Sequence, residues 1–313
     1  MDARYNMNSL LLEAIQEIAI EMVVDPSFVE KDFYAVHVLS KIAEIQIPDV
    51  EIVFTGGTSL SKAYGLIQRF SEDLDFRICS TKPQSKVQRR AIRKQILSVI
   101  KGIEKITVLE DRLQIYNESR FFSIDVAYPQ QYPLQNALRP HLQLEFTFEN
   151  TLIATEMKTV QSFVSTLLNP EDYCTIQTIS PIETGANKYS ALLWRMSIKD
   201  RQKEDKSKND PNLVRHLHDL AALLTTLQND SAFVKLVQTS FAQDKGRGGS
   251  NPEVSLEIAT QQVLYILESD MVYRSEYQHF VTAMSYASDA EQISFEKAVE
   301  AFRQLAEFFV FER

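Results

Sequence analysis

Glycine is scarce in this chain, with 8 in 313 residues and only 10 prolines beside them. A soluble domain usually carries about 7% glycine, so the sequence predicts long helices and few tight hairpins, and each glycine it does place is informative. Only two cysteines occur, Cys79 and Cys174. They are too few for a zinc pattern or a disulfide framework, which predicts a reducing compartment and no disulfide partner. No run approaches the roughly 18 apolar residues of a membrane span, so no membrane partner is expected. The start, MDARYNMNSLLLEAI, has no basic region followed by a long apolar stretch, which predicts no signal peptide and a cytoplasmic location. Positive charge is in deficit: the formal charge is −9 and the isoelectric point about 5.2. That excludes a protein that coats nucleic acid by bulk charge, but not one with a locally basic cleft.

What is present is near the globular average, with 44% hydrophobic and 24% charged residues, so wholesale disorder is excluded. Residues 9–24 carry Leu11, Ile15, Ile18 and Met22 at helical spacing. Asp25-Pro26 restarts the chain, and a second helix runs through VEKDFYAVHVLSKIAEI to Pro48. VEIVF (50–54) reads as a buried strand, TSLSKAYGLI as a helix, and FSEDLDFRI (70–78) as a strand with period-two alternation. Residues 82–105 form a basic helical stretch in which Lys82, Lys86, Arg89, Arg90, Arg93, Lys94, Lys101 and Lys105 face Glu104 alone. Further strands are predicted at 105–110, 121–128 and 142–148. Strand signals stop near residue 181, and helices follow at 183–199, 211–228, 231–243, 253–269, 271–287 and 292–311. KDRQKEDKSKNDP (199–211) reads as a charged linker and GRGGS (246–250) as a flexible turn. Residues 251–313 hold eleven acids against four bases, so the acidity concentrates there. The fold class is α+β: an α/β core over residues 1–180, then an all-helical domain over 181–313.

Three of the eight glycines, Gly56, Gly57 and Gly65, share a ten-residue window. The first two stand where a strand turns into a helix, where backbone N–H groups can face an anion and Thr58 and Ser59 add hydroxyls. The P-loop pattern GxxxxGK[ST] is absent, and a glycine pair there can equally be only a tight turn. Asp73 and Asp75, at i and i+2 on a strand, project from one face. Two adjacent anions call for a cation, and Mg²⁺ takes a few carboxylates plus substrate phosphates. The bland alternative is a solvated edge strand. Glu145, on the polar face of LQLEFTF, is the first choice for a third carboxylate, with Asp125 of FSIDV as its rival. Three carboxylates can hold two Mg²⁺ ions that clamp the attacking and leaving oxygens of phosphoryl or nucleotidyl transfer. His216 and His218 lie on different helix faces and read as structural or exposed.

FTGGTSLSKAYGLIQRFSEDLDF (54–76) resembles the signature of the AbiEii/AbiGii nucleotidyltransferases, toxins of type IV toxin–antitoxin and abortive-infection pairs that include the MenT enzymes. They belong to the polymerase-β-like nucleotidyltransferase superfamily. VEKDFYAVHVL (29–39), LRPHLQLEF (138–146), SPIETGANKYSALLWR (180–195) and VRHLHDLAALL (214–224) are similar to further family blocks in the same order, so the resemblance covers about residues 8–228. It implies a polymerase-β-like core and assigns Gly57, Thr58 and Ser59 to a triphosphate. It makes Asp73 and Asp75 Mg²⁺ ligands and Glu145 the third carboxylate. Lys188 becomes the lysine on the nucleotide phosphates, and Asp219 the aspartate of the last motif. Where the family commonly has an acid before that lysine, this chain has Asn187. Without the resemblance, Lys188 would read as a solvated helix lysine and Asp219 as a surface acid paired with Arg215.

The function so implied is Mg²⁺-dependent transfer of an NMP from an NTP to an RNA, tRNA 3′ ends being the suggested acceptor, with a cognate antitoxin as partner. The basic stretches 82–105 and 188–208 are candidate seats for the RNA backbone. Two other readings stay open: nucleotidylation of a protein hydroxyl, and a non-catalytic nucleotide-binding partner of an antitoxin.

Overall fold

The register of three phenylalanines organises the sheet. In the computed structural model, which describes residues 3–134, 138–202, 209–210 and 213–310, the chain divides into two compact units. The first comprises Met1–Gly65 and Phe70–Ile179, the second Leu66–Arg69 and Ser180–Arg313.

In the first unit a seven-stranded mixed sheet is built from β1 (Val50–Thr55), β2 (Asp73–Ser80), β3 (Thr107–Tyr116), β4 (Phe121–Ala127), β5 (Leu142–Thr147), β6 (Glu156–Val160) and β7 (Cys174–Thr178). The order across the sheet is β3-β4-β5-β2-β1-β7-β6. β2 runs antiparallel to β1 and parallel to β5, and β4 antiparallel to β5. Phe76, Phe146 and Phe122 stand in register on three adjacent strands. Their rings stack at centroid distances of 4.9 Å and 4.7 Å. With Leu74, Leu144 and Ile124 they are buried against α2 (Pro26–Ala43) and α4 (Lys86–Lys101), which contribute Tyr34, Leu39 and Ile42, and Ile92, Ile96 and Ile100. A slip of one residue would drive the alternate, polar set into this core, so the apolar packing also fixes where the carboxylates point.

Local chemistry sets the ends of these elements. Asp25 caps α2 through the Ser27 N–H, with Pro26 in the first turn. Ser85 and Gln88 form a reciprocal capping box on α4. α1 (Ala3–Met22) and α5 (Phe163–Leu168) complete the unit. α3 covers Gly56–Lys62 only, five residues short of the predicted end at Ile67. The chain leaves it through Gly65 in the left-handed region at φ 63°. β3 continues past residue 110 to Tyr116 across a bulge between Leu109 and Gln114. β6 at the sheet edge and β7 beside it carry no sequence pattern that predicts a strand.

The second unit is helical: α6 (Pro181–Ile198), α7 (Val214–Ala222), α8 (Leu224–Gln228), α9 (Phe233–Asp244), α10 (Leu256–Ser269), α11 (Met271–Met284) and α12 (Phe295–Val310). α6 starts at the Ser180 cap with Pro181 at its first position. Its Tyr189 is fully buried and shares a hydrogen bond of 3.2 Å with Thr260. Around it pack Phe233, Phe302 and Phe309, so the aromatic C-terminal stretch is core. GRGGS forms a short 3₁₀ turn at Arg247–Gly249. Of the linker 199–211 and the basic run 188–208, residues 203–208 and Pro211 lie outside the described residues. No helix among the described residues is long and apolar enough to cross a membrane.

Candidate active site

β2 buries Leu74, Phe76 and Ile78, so Asp73, Asp75 and Arg77 face the other way. The parallel pairing sets Asp75 opposite Glu145 and Asp73 opposite Gln143. The antiparallel pairing continues these rows to Ser123 and Asp125. In-register residues share a face, and neighbouring strands are about 4.8 Å apart. Glu145 is thus on the strand beside Asp75, whereas Asp125 is two strands away from Asp73.

Asp125 is also differently occupied. Its Oδ2 lies 3.1 Å from His141 Nε2 and 3.4 Å from Arg112 Nη1. Arg112 Nη1 is 3.1 Å from His141 Nδ1. A guanidinium only donates, so Nδ1 accepts and Nε2–H points to Asp125. Burial, helped by Arg112, Arg139 and Lys31 and opposed by Asp125, holds His141 below its ordinary range and therefore neutral.

The turn between β1 and α3 is shaped around Asp75. Gly56 sits at φ 78°, and a Cβ built on it would stand 1.9 Å from Asp75 Oδ2. Here glycine is needed both for its backbone and for its missing side chain. Thr58 donates its hydroxyl to the Asp73 carbonyl, and the fully buried Ser59 donates to the Gly56 carbonyl. Both hydroxyls brace the turn.

A network of charges lies on the other side of Asp73. The Arg139 guanidinium donates to Asp73 Oδ1 and to Gln143 Oε1. It also lies 3.5 Å from Glu72 Oε2. The Arg139 N–H donates to Glu72 Oε1 at 2.6 Å. Lys31, 4% exposed, donates to Glu72 Oε1 at 2.7 Å and to the Arg139 carbonyl at 2.8 Å. Its neighbours in VEKDF serve similarly: Glu30 accepts from the Gln131 and Tyr132 N–H groups, and Asp32 pairs with Lys62 at 2.7 Å and accepts the Phe163 N–H at the start of α5. Three consecutive charges of α2 thus hold the segments around the carboxylate face.

In the second unit, Asp219 is fully buried. Arg69 reaches both of its oxygens, Nε to Oδ1 at 2.7 Å and Nη2 to Oδ2 at 2.6 Å. Lys188 Nζ lies 2.7 Å from Oδ2, and His218 Nδ1 is 3.4 Å from Oδ1. Burial opposes the Asp219 charge, but Arg69, Lys188 and His218 outweigh it and hold the carboxyl well below the usual carboxylate range. The solvated lysine and the Arg215-paired surface acid are both replaced by a buried triad. His216 and His218 are buried as well. His216 has no hydrogen-bond partner on either ring nitrogen among the described residues; burial and the nearby Lys188, Arg195 and Arg215 keep it neutral.

The predicted set therefore falls into two groups, each within one unit: Gly57, Thr58, Ser59, Asp73, Asp75 and Glu145 in the first, Lys188 and Asp219 in the second. Sequence reasoning passed over Arg69 and Arg139, whose partners are 150 and 66 positions away. Both stand inside the family-like blocks, RFSEDLDF and LRPHLQLEF, the one signal that pointed at them. Among the described residues no three His, Cys, Asp or Glu side chains converge as a ready metal cage. An all-oxygen pair such as Asp73 and Asp75 nonetheless suits Mg²⁺, which binds through one or two carboxylates and completes its shell with water and phosphate oxygens.

Comparison with known proteins bears on the family and the fold. The family profile described as nucleotidyl transferase AbiEii toxin, type IV TA system, matches residues 37–307. Among solved structures, MenT4, a nucleotidyltransferase toxin from Mycobacterium tuberculosis H37Rv, is similar with a TM-score of 0.62 at 16% identity, over 91% of this chain and 84% of that one. JHP933 from Helicobacter pylori aligns over 90% of both chains at 14% identity, with a TM-score of 0.45. No curated protein sequence matches the chain.

Proposed function

Because the chain belongs to the AbiEii family of nucleotidyltransferase toxins of type IV toxin–antitoxin systems, we propose that it transfers an NMP from an NTP to the 3′ end of an RNA, tRNA being the acceptor tested first. The acceptor oxygen would attack the α-phosphorus in line, the bond to pyrophosphate would break, and the hydroxyl proton would leave to solvent or a nearby base. The family also implies an antitoxin as partner.

The observation that carries the proposal is the register of Asp75 with Glu145 beside Asp73 on the polar sheet face. Asp73 and Asp75 would hold Mg²⁺, with Glu145 the third carboxylate. When bound, the metal would supply charge neutralisation at the attacking and leaving oxygens. Gly57, Thr58 and Ser59 would take the triphosphate through backbone N–H groups, since the two hydroxyls are already engaged. Lys188 is the point charge for nucleotide phosphates. Asp219, both of whose oxygens are occupied, would act as the anchor that orients Lys188 rather than as a proton acceptor. Exposed basic residues of α4 would meet the RNA backbone.

The test incubates the purified protein with each α-labelled NTP, Mg²⁺, total tRNA and cell extract, beside Asp75→Ala. Label on RNA that is lost in Asp75→Ala supports the proposal. Label on protein instead moves the acceptor to a Ser, Thr or Tyr hydroxyl. Nucleotide that binds without label moving under any NTP or metal overturns the enzymatic reading.

A further inference from the structure

Asp73 is proposed above as a ligand of a divalent cation, yet in the structure a cation of the protein already sits on it. The Arg139 guanidinium donates to Asp73 Oδ1 and Gln143 Oε1 and approaches Glu72. It is held there from behind: Glu72 accepts the Arg139 N–H, and buried Lys31 grips both Glu72 and the Arg139 carbonyl. The backbone at residue 139 is therefore anchored, while the side chain is about a third exposed. Fixed backbone and accessible guanidinium are what a side chain needs to exchange one partner for another.

Charge arithmetic makes the exchange consequential. Lys31 and Arg139 balance Glu72 and Asp73, so the four groups together are neutral. A divalent cation that takes Asp73 Oδ1 must displace the guanidinium and would then stand beside it, two like charges in a partly desolvated place. The conflict is relieved if a polyphosphate arrives with the metal, because a guanidinium is well suited to phosphate oxygens and can take them in place of the carboxylate. The fork matters: Arg139 reaches Asp73, Glu72 and Gln143 at once, which an ammonium would not do.

We infer that Arg139 is a resident counter-cation that couples the two ligands of this site: it suppresses divalent-metal binding to Asp73 on its own, and is handed to the polyphosphate when metal and triphosphate enter together. This rests on the metal reading given under Proposed function. It makes Arg139 the counter-cation of Asp73 in the free protein and a phosphate contact in the loaded one. By linkage, the metal then raises polyphosphate affinity by the same factor by which polyphosphate raises metal affinity.

The experiment uses the full chain and no turnover. Free Mn²⁺ is followed by electron paramagnetic resonance, and binding of Ca²⁺-tripolyphosphate by calorimetry, for wild type, Arg139→Lys, Arg139→Gln and Asp75→Asn. A charge-assisted hydrogen bond is strong enough to shift Mn²⁺ affinity by about tenfold. The expected result is Mn²⁺ binding that tightens in the order Arg, Lys, Gln, by about tenfold at the end, while Ca²⁺-tripolyphosphate binding weakens in the same order. The opposite signs separate the coupling from damage to the fold, which would weaken both; if Arg139→Gln does not fold, Arg139→Lys still gives both signs. Unchanged affinities, or both weakened, overturn the inference while leaving the metal reading intact so long as Asp75→Asn loses the Mn²⁺ that wild type binds. If no variant, wild type included, binds Mn²⁺, the metal reading itself falls and this inference with it.

Discussion

Gly56 and Asp75 meet so closely that a Cβ on the glycine would stand 1.9 Å from Asp75 Oδ2 and 2.9 Å from Asp75 Cβ. The second distance is the telling one: rotating the carboxylate aside would not make room, because the root of the side chain is also in the way. The strand that bears the proposed metal ligand and the turn before α3 are therefore shaped to each other.

Gly56→Ala is expected to fail on two counts. The left-handed backbone at φ 78° costs a non-glycine residue about 1–2 kcal/mol, and Asp75 is pushed from its place opposite Glu145. An ångström of misplacement at reacting groups can cost about 10²-fold in rate. The expectation is a folded protein with a modestly lower melting temperature and NMP transfer reduced by about two orders of magnitude. Transfer at the wild-type rate would show that the close approach has no functional meaning.

Asp219 should dominate the stability of its unit. Asp219→Ala leaves Arg69 and Lys188 buried without their common counter-charge, a loss of about 3–5 kcal/mol. Denaturant midpoints measure it directly. The pH dependence has a definite sign. The folded carboxyl lies below its ordinary 3.8, so its contribution is complete above that value and is lost as pH falls through the depressed folded value. The wild type should lose stability more steeply on acidification below about pH 4 than Asp219→Asn does. Parallel curves for the two would exclude the ion triad as a source of stability.

Legibility in the sequence followed the range of the interactions. The alternation of Leu74, Phe76 and Ile78 with Asp73 and Asp75 is local, and the sheet realises it. β6 and β7 escaped notice because they are five residues each and β6 exposes Met157 at 58%, blurring any alternation. The sequence predicts α3 too long because Gly65 falls inside a helical pattern and only its positive φ marks the exit from the helix. The ion pairs were illegible for a plainer reason. Nothing near Asp219 names Arg69, nor anything near Asp73 names Arg139, so the chain's own fold was needed to show that each carboxylate already holds a cation.

Gly185 tests packing away from the proposed chemistry. It lies in α6, where alanine is ordinarily preferred by about 0.5–1 kcal/mol. A Cβ there would come within 2.5 Å of Leu227 Cδ2 and 3.3 Å of its Cγ, and Leu227 is fully buried. Overpacking of about 1–3 kcal/mol should win. Gly185→Ala is expected to destabilise by about 1 kcal/mol. Combined with Leu227→Ala, it should cost less than the two single changes added. A stabilised single variant, or strict additivity, would mean that Leu227 yields freely.

The face of α4 provides the test of the RNA seat. Its basic residues are not equivalent. Arg89 is buried and donates to the Glu118 carbonyl, Arg93 donates to the Ser119 hydroxyl, and Lys101 pairs with Glu110. The two arginines hold the β3–β4 connection, where Asn117, Glu118 and Ser119 all have positive φ. Lys86, Arg90 and Lys94 are exposed and recur every fourth residue, one stripe along the helix. Each phosphate neutralised on a single strand contributes about 0.7 to the slope of log affinity against log salt. Changing all three to glutamine should therefore lower that slope by about 2 and weaken RNA binding most at low salt, with thermal stability unchanged. Arg89→Gln should do the reverse, lowering the melting temperature with little change in salt slope. If the triple variant keeps the wild-type slope in filter binding to tRNA, the α4 stripe is not where the RNA backbone lies.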